Sequence, residues 1–220
     1  MKPVGGWAIT SKTIRRGRQM TGAAEKRPRT KPAEIRRDEL MDAAEALFLR
    51  KGFAATSVGE IVVEAGVAKG TFYLYFKTKD DVLDALRTRF IEGFCEKLDM
   101  ALAAADRGWP DRIDIWVKTC VNAWLDSVAR HDLVFHQHAP ANREMKADNL
   151  VILRLASLLE QGAQAGAWTL DHPRLIAVML FDALHGAVDD HLASKNPVGR
   201  ATLIGLVTSF YRRALALAHD

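Results

Sequence analysis

Cysteine is scarce in this chain: its 220 residues contain only two, Cys95 and Cys120. Both lie within helical, apolar patterns, where cysteine behaves as a small buried hydrophobe. A disulfide framework is therefore not expected. This is typical of proteins in a reducing compartment, and we predict a cytoplasmic location.

Long apolar runs are also missing. No stretch of about 18 apolar residues occurs, so a membrane-spanning helix is not expected. The first residues lack the uninterrupted apolar segment of a signal peptide. The alternation of apolar and polar residues that is typical of strands is absent as well, and apolar residues recur instead at helical spacing. The sequence therefore predicts an all-α protein.

Catalytic motifs are absent too. No nucleophile stands beside a recognisable base motif, and there is no phosphate-binding glycine loop. Two clusters of histidine and aspartate, at His131–His138 and at Asp182–His191, could supply metal ligands. The first lies on one short segment, whereas such sites draw ligands from several helices, and hydrogen-bonded polar side chains on one helix account for the second. We therefore expect no catalytic residue, metal or cofactor, with a helical metal-dependent hydrolase as the less favoured alternative.

The formal net charge of +4 hides an uneven distribution. Residues 1–37 contain 11 lysines and arginines against two glutamates, a balance of +9, and the remaining residues carry −5. Residues 1–31 have no apolar periodicity, which predicts a disordered basic arm. This arm could contact DNA phosphates or be an inert tail. The sequence leaves open whether translation starts at Met1 or at Met20.

The stretch from Thr56 to Lys79 predicts two short helices joined by a glycine turn. Ser57 and Glu60 have the spacing of a capping box, and Gly66 permits the positive φ at which the first helix ends. Such a helix-turn-helix lays its second helix in the DNA major groove. The second helix starts near Ala68 and carries Lys69, Gly70, Thr71, Tyr73 and Tyr75 beside the apolar residues Phe72, Leu74 and Phe76.

The sequence AGVAKGTFYLYFKTKDDVL resembles the DNA-binding signature of TetR-family transcriptional repressors. The resemblance covers roughly Ile35 to Leu86, and beyond it the chain matches the family only in length and helical pattern. Ala68 departs from the family, whose members often have a serine there that caps the recognition helix. Because such a cap is worth about 1 kcal/mol, we expect a looser start to this helix.

We expect the second helix to read DNA, although helix-turn-helix geometry also occurs in proteins that never bind DNA. Lys69, Thr71 and Tyr73 are predicted to contact base edges or lie near them, and Gly70 permits a close approach of the backbone. The predicted phosphate contacts are Thr56, Tyr75, Lys77 and Lys79.

Helix start and stop signals divide the chain into three parts. Residues 1–31 form the arm, and the resemblance implies that residues 32–78 are a three-helix DNA-binding head and residues 79–220 a helical effector-binding and dimerisation body. Thr78 caps a helix that runs from the head to near Gly108 and would link head and body. Later helices are predicted from about Glu144 to Gln164, from Pro173, and from beyond Pro197 to about Ala218.

The last two predicted helices carry more apolar surface than one small body needs to cover, and such a surplus marks an interface. The resemblance implies that they pair with those of a second copy in a four-helix dimer bundle. The predicted interface consists of Met179, Ala183, Gly186, Ala187, Leu203, Val207, Phe210 and Ala214.

Aromatic residues are concentrated in the body. Each one alone most simply fills the core, but together they could line a pocket for an apolar or aromatic small-molecule effector. The candidate pocket residues are Trp116, Cys120, Trp124, Phe135, His136, Trp168 and Phe181.

The resemblance implies a homodimeric, ligand-responsive repressor that binds a palindromic DNA operator and is not an enzyme. Effector binding in the body is then expected to tilt the helix after Thr78 and to change the spacing of the two heads. A constitutive repressor without an effector is the alternative. The operator, the effector and the direction of regulation stay open.

Overall fold

The computed structural model describes residues 32–104, 108–136 and 148–216, with the backbone alone at His136. The basic arm predicted over residues 1–31 lies outside these residues. The described part contains nine α-helices and no strand, so the predicted all-α fold is confirmed.

The head consists of α1 (Ala33–Lys51), α2 (Val58–Glu64) and α3 (Lys69–Tyr75), and α4 (Lys79–Ala103) leads out of it. The predicted capping box is present at α2, and the predicted cap Thr78 is part of a second capping box at α4. Ser57 and Glu60 exchange hydrogen bonds at the start of α2, and Thr78 and Asp81 do so at the start of α4. Ala68 offers no side-chain cap to α3, so this helix lacks a contact worth about 1 kcal/mol.

The body consists of α5 (Trp109–Leu125), α6 (Val128–His136), α7 (Leu150–Gln164), α8 (Pro173–Ala193) and α9 (Arg200–Ala214). Helix α7 starts at Leu150 rather than near Glu144, because Asn149 Oδ1 accepts hydrogen bonds from two backbone N–H groups of its first turn. Helix α9 ends at Ala214 rather than near Ala218, since Ala216 already has a positive φ of 52°.

Apolar side chains form two core clusters, one in the head and one in the body. Helix α4 belongs to both: Val82, Leu83 and Leu86 pack in the head cluster, and Leu98 packs in the body cluster. Helix α6 follows the body helix α5 in the chain, but its Leu133 and Val134 are buried in the head cluster. Two helices therefore connect the two cores. Within the described ranges, no helix is long and apolar enough to cross a bilayer.

Candidate nucleic-acid interface and buried cavity

Helix α3 buries one face in the head and exposes the other. Phe72 and Phe76 are 0% and 4% exposed, with ring centroids 5.8 Å apart. Tyr73 and Leu74 are 53% and 79% exposed. Two positions along an α-helix correspond to a rotation of about 200°, so Leu74 lies on the side opposite Phe72.

The exposure of Leu74 is a feature that the sequence analysis missed, because it grouped this residue with the apolar Phe72 and Phe76. The spacing of two residues could have separated them, since side chains two apart do not share a helix face. Gly70 lies on the same outward side, and a Cβ atom added there would meet no atom within 4 Å. An apolar side chain on a groove-facing surface can contact the methyl group of thymine.

Most of the predicted DNA contacts are accessible. Lys69, Gly70, Tyr73 and Lys77 are exposed, whereas Thr71 and Tyr75 are half-buried. They lie on α3 and in the turn that follows it, so one surface carries both the predicted base contacts and the predicted phosphate contacts. Their roles in DNA binding stay predictions.

Two of the predicted phosphate contacts are engaged within the head. Thr56 is 3% exposed, and its hydroxyl donates to the carbonyl oxygen of Gly52 at 2.8 Å. Lys79 Nζ lies 2.9, 3.3 and 3.1 Å from the carbonyl oxygens of Phe53, Ala54 and Thr56. An ammonium group has three N–H donors, so these contacts use all of them. Both side chains hold the loop between α1 and α2, and phosphate binding by them stays untested.

The carboxylate of Glu60 accepts several hydrogen bonds between the end of α1 and the start of α2. It accepts hydrogen bonds from the ammonium of Lys51 and from the N–H and hydroxyl of Ser57. Hydrogen bonds to the charged form favour it, and the contact with Lys51, followed by those with Ser57, lowers the pKa of Glu60 from 4.5 to about 2. The ion pair thereby ties the end of α1 to the start of α2.

Ionic contacts also join the head to α4 and α6. Arg89 of α4 binds Asp42 at 2.7 Å and Glu45 at 3.2 Å, both on α1. Arg130, from α6, binds the same Glu45 at 2.9 Å. In addition, Arg87 Nε donates to the carbonyl oxygen of Val134 at 2.7 Å. Helices α1, α4 and α6 are therefore linked by charged side chains as well as by apolar packing.

A cavity of about 350 Å³ lies in the body, with walls from α4, α5, α6, α8 and α9 and from the start of α7. This volume is within the range of small-molecule sites, about 300–1,000 Å³. The structure brings five of the predicted pocket residues together in its wall: Trp116, Cys120, Trp124, Phe135 and Phe181.

Trp168 is not part of this wall, although it was a candidate. Its indole N–H donates to the carbonyl oxygen of Leu159 at 2.8 Å, and its ring packs directly on Gly162. A Cβ atom at Gly162 would lie 2.0 Å from a ring carbon, so only glycine admits this packing. Trp168 lies in the loop after α7, where no periodicity indicates which way a side chain points. The side chain of His136 lies outside the described part of the chain.

The cavity also contains histidines that the pocket prediction missed. The Trp124 ring stacks on His131, with centroids 4.0 Å apart and planes inclined by 30°, and it contacts His185 at 4.0 Å. The sequence analysis considered both histidines only as metal ligands, and no group of three potential ligands converges among the described residues. Burial raises the pKa of Cys120 and of Tyr211, so the cavity wall carries a neutral thiol and a neutral phenol.

An apolar groove of about 500 Å³ runs between α8 and α9. Five residues of the predicted interface line it, namely Ala183, Ala187, Leu203, Val207 and Phe210, together with Leu206, which was not predicted. Phe210 and Leu206 are 47% and 58% exposed, which is high for large apolar side chains. This groove is a surface that a second chain could cover.

The predicted interface residues differ in their exposure. Met179 is 59% exposed, and Gly186 and Ala214 are exposed as well. Leu203 and Val207 are each only 5% exposed and pack in the body core. Periodicity marks the apolar sides of α9, but it does not say which side its own chain covers.

Comparison with known proteins places this architecture. Residues 40–86 match the model of the family of bacterial regulatory proteins called tetR. The uncharacterized HTH-type transcriptional regulator YhgD of Bacillus subtilis is 24% identical over 190 residues, which are 82% of this chain and 97% of that protein. Other curated relatives match over shorter segments, between 17% and 43% of their own length.

Two solved structures share the fold over most of the chain. The fatty acid degradation regulator FadR from Bacillus halodurans has a TM-score of 0.66 at 25% identity, over 87% of this chain and 100% of that one. FadR from Bacillus subtilis, in complex with stearoyl-CoA, has a TM-score of 0.66 at 22% identity, over 83% and 99%.

A helix-turn-helix head on an all-helical body defines a class of transcriptional regulators. The chain belongs to the TetR family within this class. Its family and its relatives are regulatory proteins, so the prediction that it is not an enzyme is confirmed.

Proposed function

We propose that this chain is a homodimeric, ligand-responsive regulator, acting as a repressor in the cytoplasm, that binds a palindromic DNA operator through α3. Residues 32–78 would bind the DNA, and residues 79–220 would bind the effector and the second copy. The observation that carries the proposal is the double role of α6, which touches both the cavity and the head.

Helix α6 presents different side chains to the two regions. His131 and Phe135 line the cavity, while Leu133 and Val134 are 4% and 3% exposed in the head core. A helix with two packed sides cannot move against one without disturbing the other, because protein interiors are close-packed. A ligand that displaces Phe135 would therefore alter the packing of Val134.

Helix α4 offers a second connection. Phe90, Ile91 and Phe94 line the cavity, and Leu83 and Leu86, earlier on the same helix, pack in the head. A ligand can shift the orientation of the heads only by its different affinity for two orientations. The contacts of α4 and α6 are where such a difference would arise.

The dimer would form through the groove between α8 and α9, where exposed Leu206 and Phe210 supply apolar area, together with exposed Met179 on α8. A two-fold axis through this surface would present two heads to two half-sites of one operator. The cavity favours this ligand-responsive function over constitutive repression, for which a filled core would be expected.

The test is selection of DNA from a random double-stranded library with the full chain, followed by sequencing. We expect an inverted repeat whose half-sites are about 10 base pairs apart, or a multiple of that spacing. Tyr73→Ala should lower affinity for the selected DNA by about 1–3 kcal/mol, while Lys118→Ala, on the exposed side of α5, should not. Enriched DNA without two-fold symmetry, bound by one chain, would contradict the proposal.

A further inference from the structure

Two tryptophans of the body differ in whether their indole N–H groups have a hydrogen-bond acceptor. Trp124 and Trp168 are both 6% exposed. Trp168 Nε1 donates to the carbonyl oxygen of Leu159 at 2.8 Å. Trp124 Nε1 is buried, and no acceptor lies within hydrogen-bond distance of it in the described part of the chain. A buried donor without a partner is unfavourable by about 1–3 kcal/mol, and few remain so in native proteins.

Trp124 lines the cavity, whereas Trp168 does not. Other polar groups of the cavity wall are held by their own backbone contacts. Tyr211 donates its hydroxyl hydrogen to the carbonyl oxygen of Leu180 at 2.7 Å, and Asn149 Oδ1 accepts from two N–H groups of α7. Both groups are therefore engaged, whereas the indole N–H of Trp124 is a donor of a wall residue that still lacks an acceptor among the described residues.

The wall around Trp124 favours a flat ligand. The imidazole of His131 stacks on the indole, and Phe181 packs on His185 with ring centroids 4.1 Å apart. Phe90 and Phe135 stand edge to face at 6.0 Å nearby. Flat aromatic faces bind planar rings by stacking and edge contacts.

The charge of the wall disfavours an anion. The described lining residues include the carboxylate of Asp182 but neither lysine nor arginine. Burying an ionised ligand group without an opposite charge is costly. An acyl-coenzyme A, which one solved relative holds as stearoyl-CoA, carries phosphates, and the described wall offers them no lysine or arginine.

We infer that the cavity takes a planar, uncharged molecule with a hydrogen-bond acceptor, such as an aromatic ketone or a nitrogen heterocycle, and that Trp124 Nε1–H donates to this acceptor. The inference rests on the proposed function in one respect, namely that the cavity is the effector site. It assigns the chemical class of the effector and the residue that recognises its polar atom.

Three naphthalenes of similar shape test the inference. 2-Acetonaphthone has a carbonyl acceptor, 2-isopropylnaphthalene has none, and 2-naphthoate is an anion. The indole ¹H–¹⁵N signals of the full chain are recorded with each compound, and Trp124→Phe and Trp168→Phe assign the two signals. We expect the ketone to shift the Trp124 indole proton downfield, the hydrocarbon to leave it nearly unchanged, and the Trp168 signal to stay constant with both.

Affinities measured by calorimetry provide the second readout. The ketone should bind about fivefold more tightly than the hydrocarbon, the size expected of one net hydrogen bond. Trp124→Phe should abolish this preference, and Trp168→Phe, which removes an indole N–H outside the cavity, should keep it. If Trp124→Phe fails to fold, the signal of the wild-type chain still decides the question, because nuclear Overhauser contacts to His131 can assign it.

Several outcomes would overturn the inference. Equal Trp124 shifts with the ketone and the hydrocarbon would show that Trp124 does not donate to the ligand. Tighter binding of 2-naphthoate than of the ketone would show that the ligand is not uncharged. If none of the three compounds binds, the ligand is not an aromatic molecule of this kind. Failure of the proposed function is recognised separately, with the selected DNA. If the ketone binds as expected but leaves DNA affinity unchanged, the ligand assignment stands and the regulatory response does not.

Discussion

Lys79 Nζ donates to the carbonyl oxygen of Phe53 at 2.9 Å and stands 4.4 Å from the centroid of the Phe53 ring. The first residue of α4 thus holds the loop that leads into α2. Because Lys79 also contacts the carbonyl oxygens of Ala54 and Thr56, it fixes the helix-turn-helix relative to the helix that connects head and body. The position of α3 depends on this contact.

Lys79→Met keeps the aliphatic stem and removes the ammonium. We expect the free energy of unfolding to fall by about 1–3 kcal/mol, since hydrogen bonds from a charged donor are lost.

Lys77→Met is the matched control: Lys77 is exposed, so stability should change by less than about 0.5 kcal/mol. Lys77→Met should instead lower the slope of log DNA affinity against log salt concentration by about 0.9. Urea unfolding and anisotropy titrations measure the two effects. A flatter salt slope without lost stability in Lys79→Met would show that Lys79 binds phosphate.

The lowered pKa of Glu60 predicts that the stability of the fold depends on pH. Its contacts with Lys51 and Ser57 lower its pKa in the folded chain from 4.5 to about 2. A carboxyl group whose pKa is lower in the folded state stabilises it above the unfolded pKa, and this contribution is lost as the pH falls through the folded pKa. Glu60→Gln should therefore be less stable than the wild type at pH 7, and the difference should shrink as the pH falls from 4.5 through 2.

Urea midpoints at pH 7, 4 and 2 measure this difference. Glu96→Gln, at an exposed position of α4, controls for the loss of one surface carboxylate. A difference between Glu60→Gln and wild type that persists unchanged at pH 2 would show that the ion pair with Lys51 does not set the pKa of Glu60.

Local patterns explain why much of the head could be predicted. The spacing of Ser57 and Glu60 specifies a capping box without reference to any distant residue, and the four-residue spacing of Phe72 and Phe76 specifies a buried face. Lys79 could not be placed in the same way. Its partners lie more than 20 positions earlier in the chain, and a lysine near a DNA-binding helix is as suitable for phosphate as for carbonyl oxygens.

The body was less predictable because its contacts are long-range. Apolar periodicity marks Val207 and Phe210 alike, yet only the fold decides that α9 buries Val207 and exposes Phe210. Trp168 depends on the absence of a side chain at Gly162. His131 lines the cavity because the short helix α6 turns it toward Trp124, an orientation that its sequence neighbours do not determine.

The exposure of Leu74 predicts that DNA affinity depends on thymine methyl groups. Its side chain is 79% exposed at the outward side of α3, so it can contact a methyl group in the major groove. Replacing thymine by uracil at the contacted position removes only that methyl, which should lower wild-type affinity about fourfold, or by about 0.8 kcal/mol. In Leu74→Ala the same replacement should have less than a twofold effect.

Selected operator DNA with uracil at each thymine in turn provides the measurement. Met100→Ala, which changes a residue that is 72% exposed on the body part of α4, should behave like the wild type. Equal sensitivity to uracil in Leu74→Ala and in the wild type would exclude a contact between Leu74 and thymine.

Phe210 predicts the location of the dimer interface. It is 47% exposed in the groove between α8 and α9, so a glutamate there should not disturb the fold of one chain. In a two-fold dimer, however, Phe210→Glu would bury an unpaired carboxylate twice, and sedimentation should show a monomer with unchanged helicity. Affinity for the selected operator should then fall sharply, because one head makes only half of the contacts.

Met100→Glu adds the same charge at an exposed apolar position on α4 and should leave the dimer intact. A helical Phe210→Glu protein that still sediments as a dimer would place the interface elsewhere, and a monomer with undiminished operator affinity would contradict binding by two heads.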